Sequence, residues 1–212
     1  MAWDRLRSSY DRVAARYEET FLDELRGKAR DRELLEAFGS SVGDPVVEIG
    51  CGPGQIGAFV RHRGRVVLGL DLSVEMVALA RHRLDAVAAA DMRALPFGDA
   101  RVGGLLAFYS LIHLRRAELA AALAEFRRVL RPGGRVLFSA HEGQGQFDAD
   151  EFLGEPVPFV ATLFELDELV AATVDAGLEI RIAERRAPYA GEHPTTRLYV
   201  DASRPEEGRP GR

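Results

Sequence analysis

The sequence predicts an α/β fold: a doubly wound parallel sheet covered by helices on both faces. Three observations carry this expectation. Short apolar runs alternate along the chain with helical patterns of about 10–15 residues, the signature of strand–helix–strand units. A glycine cluster, Gly50 to Gly54, breaks the chain directly after the first apolar run. Polar residues recur just past the others: Asp71, Asp91, Tyr109 with Ser110, and His141. In open parallel sheets ligands bind outside the carboxyl ends of the strands, so these positions are expected to converge on one site.

The elements follow in order. Leu6, Tyr10, Val13, Ala14 and Tyr17 recur at helical intervals within 4–19, and Leu25, Ala29, Leu34, Leu35 and Phe38 within 22–38, predicting two helices. Residues 45–49 read as the first strand, followed by a helix over 55–62 and a strand over 65–70 closed by Asp71. Ser73 is placed to cap a helix over 74–84. Strands over 86–90 and 102–109 come next, then a long helix over 115–130 that ends at Arg131-Pro132-Gly133-Gly134. The fifth strand is expected over 135–140, a helix over 166–176, and two late strands over 178–186 and 195–201. Between them, 141–159 has three phenylalanines, several acids and no clear period.

With 212 residues, 47% hydrophobic and 29% charged, the chain suits a single globular domain by the yardstick of roughly 150 residues each. The boundaries expected are 1–202 for that domain, with 1–38 as N-terminal lid helices, 141–165 as a substrate cap and 203–212 as a disordered tail. A net charge of -5 gives no footprint for a polyanion, and the arginine clusters at 61–63, 81–83 and 127–128 fall on separate helices. The single cysteine, Cys51, excludes an internal disulfide and a multi-cysteine zinc site, and reads as a packing residue. No apolar run approaches the roughly 20 residues of a membrane span, and the charged N-terminus lacks a signal-peptide core, so a cytoplasmic protein is expected. Lys28 is the only lysine among 28 basic residues, which we read as codon bias.

The segment Glu48-Ile49-Gly50-Cys51-Gly52-Pro53-Gly54 joins the first strand to its helix. Glycines there permit positive φ and close approach of a ligand to the backbone, and the helix start at Gln55 offers free N–H groups. Gly52, Gly54 and Gly57 satisfy the dinucleotide spacing G-x-G-x-x-G, with Asp71 as the acid 19 residues after Gly52. Against a pyrophosphate stands Glu48, an acid at the end of a buried strand. With Asp91 and Met92 after the third strand, the set fits an adenosyl ligand carrying a ribose diol, an adenine and a sulfonium cation.

At this point VVEIGCGPGQIG resembles the first motif of class I S-adenosylmethionine-dependent methyltransferases. The resemblance continues through LGLDLS, AADMRALPFGD, LLAFYSLIHL and RVLRPGGRVLFS, and SYDRVAARYEE resembles the lid helix of small-molecule members. It spans about residues 8–200 and implies a Rossmann-like sheet of seven strands with the last one antiparallel. It also implies that Gly50, Gly52 and Gly54 pass under the methionine of the cofactor, with Glu48 and Met76 in the binding set. Asp71 would hold the ribose hydroxyls, Leu72 the adenine face and Asp91 with Met92 the adenine edge. Tyr109 and Ser110 would lie near the methyl donor and Tyr17 would close over it. The plain alternatives are core roles for Leu72 and Met92 and solvated turn acids for Asp71 and Asp91.

Methyl transfer needs a base only if the nucleophile arrives protonated. His141, with Glu142 beside it to orient it, and His113 are the candidates, against packing roles for either. His62, His82 and His193 are expected at the surface. Phe147, Phe152 and Phe159 would wall an apolar acceptor, while Asp148, Asp150, Glu151 and Glu155 would attract a cationic one. The fourth strand ends AFYS and not the N-P-P-Y type of nucleobase and amide nitrogen methyltransferases, and no metal-ligand spacing occurs. The expectation is an enzyme that uses S-adenosylmethionine, without metal, to methylate an O, N or C nucleophile of a small molecule. Nucleic acid and membrane are not expected as partners, and the protein is expected as a monomer or homodimer. The competing readings are an NAD-dependent oxidoreductase and a non-catalytic cofactor-binding partner protein.

Overall fold

The computed structural model describes residues 2–206. Helix α1 (Ala2–Phe21) is followed by a 3₁₀ turn (Glu24–Gly27) and α2 (Ala29–Ser41). The helix expected over 22–38 is therefore divided: Lys28 leaves helical backbone at φ -114° and ψ 78°, and the chain turns there. The crossover units are β1 (Val46–Ile49), α3 (Gln55–Arg61), β2 (Val67–Asp71), α4 (Val74–Ala80), β3 (Ala86–Ala89), β4 (Val102–Ala107), α5 (Leu119–Val129) and β5 (Leu130–His141). Then come β6 (Gln146–Ala149), β7 (Phe159–Thr162), α6 (Leu166–Asp175), β8 (Glu179–Arg186) and β9 (Arg197–Ser203).

Seven strands form one sheet in the order β3-β2-β1-β4-β5-β9-β8. The first five are parallel, and β9 runs antiparallel to both β5 and β8, so the last strand in sequence is the reversed one. The order reverses between β1 and β4, which opens a crevice at their carboxyl ends.

Alternation along the strands divides the core in two. Val47, Ile49, Leu105, Ala107, Val136 and Phe138 face α5 and α6; Val46, Val67, Leu106 and Leu137 face α2, α3 and the end of α4. Helix α5 places Leu119, Ala122, Leu123, Phe126 and Val129 inward, three or four residues apart. Ser73 caps α4 as expected, its Oγ accepting from the Met76 N–H at 3.1 Å.

Two further expectations change. Residues 141–165 are not irregular throughout: β6 and β7 pair as a separate antiparallel ribbon, with Phe147 opposite Ala161. Strands of four residues are too short to leave a period in the sequence. The tail does not begin at 203, because Ser203 pairs with Arg135 and Glu179, and the Arg204 N–H donates to the Gly134 carbonyl at 2.8 Å. The rest of the expected tail, 207–212, lies outside the described residues.

Beneath the sheet's far side, the Arg135 guanidinium pairs with the Asp201 carboxylate, which is 2% exposed. Arg135→Ala strands that carboxylate in the core and is expected to cost about 3–5 kcal/mol of unfolding free energy. Urea unfolding followed by circular dichroism measures it.

Candidate active site

The crevice between β1 and β4 holds two adjoining cavities. The first is a slot walled by Gly50 and Gly52 after β1, Asp71 and Leu72 after β2, Asp91 and Met92 after β3, and Tyr109 and Ser110 after β4. Met76 lines it from α4 and Tyr17 from the lid helix. Of the expected cofactor-binding residues, only Glu48 and Gly54 lie outside this slot.

The local chain geometry explains the slot. Gly50 has φ 65°, and a Cβ there would lie 2.4 Å from that of Ser110, so β1 and β4 approach as closely as they do only with glycine. Asp71 ties neighbouring crossovers together: its Oδ2 accepts from the Gly52 N–H at 2.8 Å and its Oδ1 from the Ser73 N–H at 2.9 Å. Burial pushes the Asp71 carboxyl up to about 6, against those N–H donors. The Leu72 N–H also bonds this carboxylate, which still has acceptor capacity for one further donor. Asp91 is gripped by Arg93 through both carboxylate oxygens, which holds its carboxyl below the usual range. Arg93 in turn bonds Glu118 at 2.9 Å and lies 4.1 Å from the Trp3 ring. The Ser110 hydroxyl is buried in the slot wall without a hydrogen-bond partner among the described residues.

Glu48 lines the second cavity instead, and its Oε2 accepts from the Gly57 N–H in the first turn of α3 at 2.9 Å. Burial drives its carboxyl well above the usual range. The acid thus occupies the helix N–H that a pyrophosphate would need, so the G-x-G-x-x-G coincidence lacks its anion site. Gly54 lines neither cavity; it starts α3 at φ 88° and packs on Ala80 and Leu84.

The second cavity, about 730 Å³, shares Tyr10, Tyr17, Gly50, Gly52, Phe108 and Tyr109 with the slot. Rings dominate it: Phe147, Phe152 and Phe159 come from the cap segment and Tyr189 from the β8–β9 loop. His141 stands at its wall, 5.2 Å from the Tyr109 ring, with Nδ1 2.7 Å from Thr195 Oγ1. Glu142 does not orient it, because that carboxylate pairs with Arg185. Burial, reinforced by the Arg197 cation, pushes the His141 imidazolium down to about 3, and its Nε2 has no partner among the described residues. His193, expected at the surface, is exposed but also reaches this cavity, 5.4 Å from Phe147.

His113 stands differently. Its Nδ1 lies 3.1 Å from the Val160 carbonyl, which can only accept, so Nδ1 carries the proton. Nε2 then accepts from the Tyr10 hydroxyl at 2.7 Å. Both ring nitrogens are engaged, and the residue expected as a base instead clips the lid helix to β7. The lid is fixed at three more points: Asp11 to the Ser73 hydroxyl at 2.6 Å, Ser9 to the Pro158 carbonyl at 2.9 Å, and Glu18 to Arg83 at 2.7 Å.

Sequence reasoning missed Trp3, Leu6 and Tyr10 in the slot. The signal was present: Trp3, Tyr10 and Tyr17 recur every seven residues and share one helix face. Lys28, read as codon bias, reaches the second cavity and pairs with Glu24 and Glu192. Among the described residues no group of His, Cys, Asp and Glu is placed to hold a metal ion. No described helix is long and apolar enough to cross a membrane.

The chain has a Rossmann-like fold with a slot at the β1–β4 switch point. A family model described as "Methyltransferase domain" matches residues 46–134. Malonyl-[acyl-carrier protein] O-methyltransferase of Serratia marcescens is 36% identical over 140 residues, 65% of this chain and 50% of that protein. The chain spans about half the length of such curated relatives. Among solved structures, a putative methyltransferase of Haloferax volcanii, in complex with the Trm112 methyltransferase activator, superposes with a TM-score of 0.75 at 24% identity. That match covers 96% of this chain and 99% of the other. The 1,6-didemethyltoxoflavin-N1-methyltransferase of Burkholderia thailandensis, solved with S-adenosylhomocysteine, gives 0.69 at 22% identity, covering 96% of this chain and 88% of that one. Residues 46–134 are thus similar to a methyltransferase domain, and the chain shares the fold of these solved structures.

Burying His113 neutral has a consequence for pH. Its imidazolium is pushed down to about 4 in the fold. The unfolded chain takes up that proton near pH 6.5, so its contribution to stability falls as pH drops from there to about 4. The stability advantage of the parent over His113→Gln is expected to shrink by about 1–3 kcal/mol across that window, the partly exposed ring giving less than the full shift. Paired denaturant titrations at several pH values measure it.

Proposed function

We propose that the protein transfers a methyl group from S-adenosylmethionine to a small-molecule acceptor bound in the second cavity. The observation that supports this is the slot itself, which is lined by two strand-end acids, Asp71 and Asp91. The Ser110 hydroxyl, buried without a partner, gives it a further polar contact to satisfy.

On this reading Asp71 accepts from the ribose hydroxyls, and Leu72 and Met92 enclose the adenine face while Asp91 meets its edge. Gly50 and Gly52 admit the methionine chain, and Gln55, whose buried Oε1 has no partner among the described residues, and Lys28 stand toward that end. Glu48 holds α3 in place from the wall of the second cavity, and Gly54, which lines neither cavity, shapes the start of that helix. A cofactor bound in the slot would supply an electrophilic methyl carbon with sulfur as its leaving group. The chain contributes alignment and exclusion of water through the lid and cap rings. His141 Nε2 receives a proton when the nucleophile carries one. We further infer a cytoplasmic enzyme, monomer or homodimer, with 141–165 as substrate cap and no nucleic-acid partner.

Calorimetric titration with S-adenosylhomocysteine, with NADH in parallel, tests the reading: one-site binding of the former alone is expected, and preference for NADH refutes it. Asp71→Ala is expected to weaken that binding by about 1–3 kcal/mol, a charge-assisted partner being lost. His141→Ala is expected to slow transfer to a protonated acceptor while leaving cofactor affinity within about twofold, a difference of a few tenths of a kcal/mol. Full activity at every pH would remove His141 from the mechanism.

A further inference from the structure

The second cavity is specific about what it can hold. Its apolar surface is mostly ring faces and edges. Phe152 stacks on Phe159 at 4.5 Å and 26°, Tyr10 meets Phe152 edge-on at 5.7 Å, and Phe147 meets Phe159 at 6.3 Å. Phe147, though it meets Phe159 and His193, is left 42% exposed, a large apolar ring at the cavity. Such rings favour another flat ring, in offset or edge contact.

The charges decide the polar group. Two cations reach the cavity, Lys28 and Arg197. Lys28 pairs with Glu24 and lies 3.6 Å from Glu192; Arg197 lies 3.6 Å from Glu192 and donates to the His193 carbonyl at 2.9 Å. Glu24, Glu48, Glu151 and Glu192 also line the wall, so a carboxylate acceptor meets acids and no uncommitted cation among the described residues. A protonated amine meets the opposite obstacle at the cavity's polar end. There Arg197 Nη1 donates to Thr195 Oγ1 at 2.8 Å, and the same oxygen lies 2.7 Å from His141 Nδ1. At that end the Arg197 guanidinium stands against an ammonium, and the open His141 nitrogen can accept a hydrogen bond from a neutral hydroxyl.

Resting on the methyltransferase reading, we propose that the acceptor is a flat aromatic compound bearing a ring hydroxyl. Its ring lies among Phe147, Phe152 and Phe159, and its hydroxyl donates to His141 Nε2. The hydrogen bond requires the proton of the free imidazole to sit on Nδ1, donated to Thr195 Oγ1, whose lone pairs then serve both His141 and Arg197. In transfer the hydroxyl oxygen gains the methyl carbon, the electron pair goes to sulfur, and the hydroxyl proton goes to His141 Nε2 and on to solvent. Thr195 and Arg197 are positioning residues, and the three phenylalanines set specificity.

The test is calorimetric binding of 1-naphthol, 1-naphthoate and 1-naphthylmethylamine to the full chain saturated with S-adenosylhomocysteine. Naphthol is expected to bind about tenfold more tightly than either charged probe. Phe152→Ala is expected to lose about three- to tenfold in naphthol affinity, with Phe152→Leu as a milder second variant. His141→Ala is expected to abolish the preference for naphthol over naphthoate. Equal or tighter binding of naphthoate or of the amine overturns the proposal. So does naphthol affinity unchanged in both Phe152 variants, or a failure of naphthol to bind while S-adenosylhomocysteine saturates. Failure of S-adenosylhomocysteine itself to bind overturns the methyltransferase reading, and this proposal with it, and is seen before any acceptor is added.

Discussion

The carboxylate of Asp71 holds the site together. It ends β2, yet it bonds the backbone of the turn after β1 through Gly52 and that of its own turn through Ser73. One side chain therefore fixes the positions of two crossover connections at the carboxyl edge of the sheet. Ser73, fixed at its N–H, caps α4 through its hydroxyl and anchors the lid helix through Asp11. Removing water from this acid has an energetic cost, which shows as its raised pKa. The same carboxylate lines the slot, so one group both ties the crossovers together and forms the wall of the cavity.

The histidines separate on hydrogen-bond arithmetic. His113 and His141 both follow strands, and both are buried enough to stay neutral near pH 7. His113 spends both nitrogens on the lid and on β7, joining two elements over the crevice. His141 spends one, on Thr195, and presents the other to the larger cavity. The loop that carries Thr195 is held around Glu192, which bonds Arg186 at 2.8 Å and the Tyr189 N–H at 2.8 Å and lies near Lys28 and Arg197. Charges distant in sequence thus set this wall of the second cavity. Tyr109 is fixed in the same way: its φ of 52° is unusual for a side chain of its size, and its hydroxyl meets Tyr199, which donates to Asp31.

The strands, their order of appearance and the strand-end residues of the slot were legible in sequence because each signal is local. Apolar runs, glycine turns and a capping serine act within a few residues. The reach of Trp3 and Tyr10 was legible too, in their spacing, once helix α1 was expected. The β6–β7 ribbon, the break at Lys28 and the continuation of β9 through Ser203 were not. Each depends on pairing or charge contacts with segments far along the chain, which weigh more than local propensity.

The sequence by itself determined that this is a crossover α/β chain with a glycine turn and acids at successive strand ends, because periodicity and backbone permissiveness are written residue by residue. Only the tertiary structure decided what each polar group is free to do. Glu48 faces α3, His113 belongs to the lid, Glu142 belongs to Arg185, and His141 keeps one nitrogen open. A side chain's chemistry depends on which partners have already taken its donors and lone pairs, and those partners lie up to 103 residues away in the chain.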